Sequence, residues 1–234
     1  HNDYTKHLKK GIKGMKIGIP KEYFRNIDPN VKKKVENAID NLEELGAKVK
    51  TISLPTTKYA LSAYYIIATS EASTNLAKYC GLRYGAHLEI GGNFNEYFSL
   101  VRSKYLGDEA KRRIILGTFA KMSGYRDAYY LKAMKVRTLI INDFKKAFKK
   151  FDVLAAPTMP ILPPRFKDIA KLKPVQHYQM DILTVPPNLA GVPMISVPCG
   201  NIGKLPVGIH LMADHLNEDK IIEAASAFES VMRK

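Results

Sequence analysis

Two charged residues sit against apolar sequence and are of types that can act together on one small zwitterion. Arg113 lies in the run KRRIILGTFA, whose Ile114, Ile115 and Leu116 read as core. Asp181 heads the stretch DILTVPPNLAGVPMISVPCG (Asp181–Gly200), where it is the only carboxylate among prolines, glycines and apolar residues. A guanidinium offers a planar fork suited to a carboxylate, and an aspartate accepts from an ammonium. The pair can therefore hold both ends of a free amino acid. The same two groups can equally bridge to each other or to core neighbours, because a charge beside apolar sequence needs a partner.

Other chemistries find less support. Cys199 would need a lowered pKa and a neighbouring base to act as a nucleophile, and His210 is the nearest candidate along the chain. The setting Pro198-Cys199-Gly200 reads more simply as a small buried residue at a strand end. His1, His7, His87, His177, His210 and His215 show no metal-ligand spacing, so no metal site is expected. The chain holds no phosphate-binding glycine loop with its lysine, no H-E-x-x-H, no CxxC pair and no G-x-S-x-G.

These residues must be positioned by an α/β framework. KIGIP (Lys16–Pro20) reads as a strand. Asp28-Pro29 supplies an N-cap and a first-turn proline. Val31, Val35, Ala38, Ile39, Leu42 and Leu45 then recur at helical spacing, and Gly46 ends the helix. Ala47–Leu54 returns to strand, which makes a βαβ unit with a parallel strand pair. Helices are expected over Thr57–Tyr79, Asp108–Met122, Gly124–Lys150 and Asn217–Val231, and strands over Phe151–Pro157, Met194–Val197 and Val207–Met212. Gly81–Gly92 reads as irregular and Pro160–Met180 as a long surface loop. Asp181–Gly200 reads as a buried, turn-rich passage leading into the Met194–Val197 strand. The fold class is α/β, a mixed β-sheet flanked by helices.

Composition is that of a globular protein, 46% hydrophobic and 25% charged. Two cysteines are too few for a disulfide framework, which points to a reducing cytoplasm. No run is long enough to span a bilayer, and the first residues do not read as a signal peptide. The chain begins with His1 and not Met, and reads as a fragment or a processed product. A net charge of +15 invites a nucleic-acid reading. No helix-turn-helix, zinc finger or aromatic RNA-binding signature accompanies it. Lys32–Lys34 and Lys145, Lys146, Lys149 and Lys150 read instead as solvated helix faces.

Several blocks carry a resemblance. Ser62–Gly85, Lys111–Phe144, Phe151–Pro160 and Asp181–Gly200, with the opening GIKGMKIGIPKEYF (Gly11–Phe24), resemble the amidase signature family in order and nearly end to end. Within it they are most similar to the branch that serves the Glu-tRNA(Gln)/Asp-tRNA(Asn) amidotransferases as their A-type component. The resemblance implies glutamine hydrolysis, with ammonia passed to another subunit that amidates an activated glutamyl-tRNA. It assigns Arg113 to the glutamine α-carboxylate, Asp181 to its α-amino group and Tyr64 to the wall of the same pocket. Coincidence with the pair found from residue types favours the binding role over the bland one. Implied partners are glutamine, B- and C-type subunits and, through them, tRNA. ATP and Mg would be used by the partner subunit, with no cofactor in this chain and no membrane contact.

The family's Ser–cis-Ser–Lys triad lies in an N-terminal half with a Gly/Ser-rich signature. No such run occurs here, and Gly91-Gly92-Asn93 does not replace it. Residues 1–234 therefore read as the C-terminal part of a single amidase-signature domain, with no catalytic residue of its own. The alternative is a truncated, non-catalytic homologue serving as a scaffold or interaction module. Sequence encoded upstream of His1 would discriminate between the two.

Overall fold

Asp28 begins the first helix by accepting hydrogen bonds from Asn30 N (2.7 Å) and Val31 N (3.2 Å). These are donors that the first turn leaves without partners. The helix, α1, spans Pro29–Glu44 and buries Val31, Val35, Ala38, Ile39 and Leu42, the expected apolar stripe. It connects β1 (Lys16–Pro20) to β2 (Lys48–Ile52), which pair in parallel with Lys16 opposite Lys48. The computed structural model describes residues 3–89 and 92–232. The readings placed on His1 and Gly91 lie outside them.

The chain divides into two compact units, residues 1–61 with 137–234, and residues 62–136. The first is built on a five-stranded mixed sheet of order β2–β1–β3–β5–β4, where β3 is Val153–Pro157, β4 Met194–Ile202 and β5 Leu205–Ala213. β1 and β3 are parallel; β3–β5 and β5–β4 are antiparallel. β3, at the centre, is buried at every residue, which is why its sequence is continuously apolar and does not alternate. One sheet face packs against α1 and the C-terminal helix α9 (Glu218–Met232), around Ile17, Val153, Ala155, Ile209, Leu211 and Phe228.

The second unit is helical. It takes in most of α2 (Ala60–Leu76), then α3 (Phe94–Tyr105), α4 (Asp108–Lys121) and the first residues of α5 (Lys132–Phe148), entered through a π-type turn at Asp127–Leu131. α4 crosses α2 without a side chain between them: a Cβ on Gly117 would overlap the Thr69 carbonyl oxygen. Lys121 of α4 also reaches Thr74 Oγ1 of α2.

Four expectations need correction. Asp181–Gly200 is not only turns, because Val185–Ala190 forms a short helix, α8. Its two prolines fall in the first turn, where a missing N–H removes no helical bond. The following strand runs on from Val197 to Ile202, past Pro198 and a register shift, as an outer strand tolerates. Pro160–Met180 contains two short helices, α6 (Phe166–Ile169) and α7 (Pro174–Gln179). The Gly124–Lys150 helix is interrupted by the π-type turn, and α3 was not anticipated at all.

Candidate functional site

Tyr64 and Arg113 belong to the helical unit, and Asp181 to the sheet unit. Within the helical unit the α2–α4 crossing relates the first two. Thr69 faces Gly117, and Thr74, further along α2, meets Lys121, further along α4. The two helices therefore run in the same sense. Tyr64 and Arg113 each lie about one turn before the crossing. Tyr64 is half-buried, its ring edge-to-face with Tyr65 at 5.2 Å between centroids. Arg113 is exposed, and its Nε donates to Glu109 Oε1 at 3.0 Å, one turn earlier on α4. Glu109 also receives Arg112. A guanidinium held through Nε keeps its forked end directed, which suits recognition of a planar carboxylate.

Asp181 is half-buried at the start of the turn that enters α8. Its carbonyl accepts from Thr184 N and Val185 N at 3.0 Å and from Thr184 Oγ1 at 3.1 Å. Those bonds fix the backbone from which the carboxylate projects. The far end of α8 is fixed as well. Gly191 closes it at φ 73°, and Arg137 Nε of α5 donates to Leu189 O at 2.9 Å. Prolines, glycine and backbone bonds make the Asp181 segment stiff, as a binding wall requires.

The other candidates resolve differently. Cys199 belongs to the α1/α9 face of the sheet, its Sγ donating to Val207 O at 3.4 Å. Burial pushes its thiol up to about 11, away from thiolate chemistry. His210 lies between Ile209 and Leu211, both members of that same cluster. Strand alternation therefore directs His210 to the opposite face, and a Cys199–His210 dyad does not form. His210 is buried, its Nδ1 has no hydrogen-bond partner among the described residues, and burial holds its pKa down to about 4.

One group of metal-ligand type is assembled from distant sequence: His7, Asp219 and Glu223. His7 Nδ1 lies 2.8 Å from Glu223 Oε1, and Lys10 Nζ lies 3.2 Å from each of these atoms. An ammonium stands where a cation would sit, so the cluster acts as an ionic clasp fastening the Tyr4–His7 turn to α9. Burial works to raise the Glu223 pKa, but the His7 and Lys10 hydrogen bonds outweigh it and leave the carboxyl below its ordinary range. Glu109 and Lys10 were not singled out from sequence. The E-x-x-R-R spacing at Glu109–Arg113 does announce the first, whereas nothing local announces the second.

With the fold and this geometry in hand, comparison with known proteins is decisive for the family. The Amidase family profile matches residues 1–222, and the chain belongs to that family. Among curated proteins, the A subunit of glutamyl-tRNA(Gln) amidotransferase from Halothermothrix orenii is 50% identical over 232 residues, covering 98% of this chain and 48% of that protein. Its counterpart from Desulforamulus reducens is 50% identical over 228 residues, 97% of this chain and 47% of that protein. The crystal structure of the same protein from Thermotoga maritima superposes with a TM-score of 0.72 at 34% identity, covering 96% of this chain and 44% of that one. The chain thus spans about half the length of the relatives it matches. A bacterial aryl acylamidase of the amidase signature family, 23% identical with a TM-score of 0.69, shares the fold.

Proposed function

We propose that this chain is the glutamine-recognising portion of the A-type component of a tRNA-dependent amidotransferase, in which glutamine hydrolysis supplies ammonia for converting Glu-tRNA(Gln) to Gln-tRNA(Gln). The observation that carries the proposal is 50% identity to such amidotransferase components along nearly all of the chain. In this reading the Arg113 guanidinium takes the glutamine α-carboxylate, the Asp181 carboxylate takes the α-ammonium, and Tyr64 lines the pocket. Holding both α-groups leaves the side-chain amide as the only part of the substrate free to reach a nucleophile. That nucleophile, the serine of a Ser–cis-Ser–Lys triad, is supplied outside these 234 residues. Its attack on the amide carbon expels ammonia, and water then releases glutamate.

B- and C-type subunits are the proposed partners, tRNA is engaged through the complex, and the proposed compartment is the cytoplasm. ATP and Mg2+ are used by one of those partners. Among the described residues the one metal-ligand cluster already contains the Lys10 ammonium and does not suit a magnesium ion. No described helix is long and apolar enough to cross a membrane.

Two measurements test the reading. The purified 234-residue chain should release no ammonia from glutamine above background. In the intact protein within its complex, Arg113→Ala or Asp181→Ala should lower kcat/KM for glutamine about ten- to a hundredfold, the loss of one charge-assisted contact of about 1.5–3 kcal/mol. Amidation driven by free ammonium should survive both changes. Unaltered glutamine use by both variants would overturn the assignment.

A further inference from the structure

The sheet unit brings together lysines that lie far apart in sequence. β2 is an outer strand, and its Lys50 shares a cavity of about 330 Å³ with Lys146 of α5 and with Lys150 just beyond that helix. Ser53 and Asp143 add polar groups, and Ala147 and Phe151 give part of the wall an apolar character. All three lysines are exposed, and among the described residues none has an acidic partner within 4.0 Å. The lining carboxylate, Asp143, accepts from Thr56 N at 3.0 Å and from Thr56 Oγ1 at 2.5 Å, and it leaves the lysines in excess by three to one. Lys48, Lys145 and Lys149 are likewise exposed on or beside the same two elements and extend the positive surface.

Lysines on an outer strand keep it from pairing with another sheet. That role does not call for further unpaired lysines facing the strand from a helix. A concave site where three ammonium groups outnumber the one lining carboxylate is instead suited to phosphodiester groups. Each neutralised phosphate releases condensed counterions and adds affinity.

We propose that the cleft between β2 and the C-terminal end of α5 binds the phosphate backbone of RNA, with Lys50, Lys146 and Lys150 as its cations. The proposal rests on the tRNA-linked function only for its choice of RNA. It gives this chain a direct contact with the nucleic acid, in addition to any made by partner subunits. Because the three lysines are assigned to phosphates, whose contacts carry no sequence information, recognition is of backbone and not of sequence.

The test uses the full 234-residue chain and a fluorescently labelled tRNA transcript, with binding read by anisotropy between about 50 and 200 mM KCl. The K50E/K146E/K150E variant should bind at least about tenfold more weakly, and its salt slope should fall by about two to three. The equal change of net charge in K167E/K171E/K204E, on exposed segments outside the cleft, should leave affinity within about twofold of the parent. A neutral K50Q/K146Q/K150Q variant with an unchanged circular dichroism spectrum should show an intermediate loss, which separates charge from misfolding. An unrelated RNA hairpin should bind like the tRNA. Equal losses in the cleft and control variants, no binding by the parent chain, or equally effective displacement of RNA by polyglutamate would each overturn the proposal. The readout requires no glutamine, so its failure and the failure of the glutamine assignment are distinguishable.

Discussion

Gly117 has no side chain because α4 meets the α2 backbone there. A Cβ would overlap the Thr69 carbonyl oxygen and press on Ser70 N at 2.9 Å, and neither backbone atom can move without moving its helix. Overpacking of this kind typically costs about 1–3 kcal/mol, against a gain of about 1 kcal/mol from replacing a mid-helix glycine by alanine. Gly117→Ala should therefore lower stability by up to about 2 kcal/mol, measured as a shift in the urea unfolding midpoint at constant slope. A stabilised variant would show that the helices do not touch at this point. The same close approach aligns Arg113 with Tyr64, so the substitution should also reduce glutamine use in the intact protein.

At the scale of elements, legibility followed how local the determining physics was. α1 could be placed from sequence because its N-cap, first-turn proline, apolar stripe and closing Gly46 all lie within one short segment. Asp28→Ala should cost about 0.5–2 kcal/mol, and Asp28→Asn, which still accepts from Asn30 N and Val31 N, should cost much less. Equal thermal midpoints for the two variants would deny the cap its role. α3 carries a comparable local signal, with Asn93 accepting from Asn95 N and Glu96 N while Glu96 reaches back to Asn93 N. The glycine-rich segment before it masked that signal. α8 escaped for another reason: proline was weighed as a helix breaker, although its effect depends on position within the helix. In the candidate site, Asp181 stood out because a lone charge in apolar sequence demands a partner, and Arg113 because its planar fork complements a carboxylate. The Lys50–Lys146–Lys150 cleft and the His7–Lys10–Glu223 clasp could not be read in this way, since each joins residues about a hundred or more positions apart and exists only once the sheet has formed.

For the whole molecule, the buried polar groups give stability a direction in pH. His210 opposes acid. Its pKa falls from 6.5 to about 4 in the folded state, because burial penalises the imidazolium. Above 6.5 the ring is neutral in both folded and unfolded chains and costs nothing. As pH falls from 6.5 towards 4 the unfolded chain takes up a proton that the folded chain refuses, so stability declines. The full penalty is about 3 kcal/mol, at 1.36 kcal/mol per pKa unit. Glu22 and Glu223 add to the loss at lower pH. Burial works to raise both, but Ser53 Oγ and Leu54 N at Glu22, and His7 and Lys10 at Glu223, leave both carboxyls with lowered folded pKa values. Their stabilisation is present above the ordinary carboxylate range and is lost as pH falls through the folded values. With a net charge already at +15, each carboxylate protonated also increases self-repulsion. Urea unfolding should therefore show a steady loss of stability from about pH 6.5 downward, steepening below about pH 4.5. His210→Gln, which cannot take up a proton, should flatten the upper part of that profile and leave the lower part in place. An unchanged profile in the variant would mean that His210 is protonated in the folded protein, and that the buried face of the sheet around it is open to water.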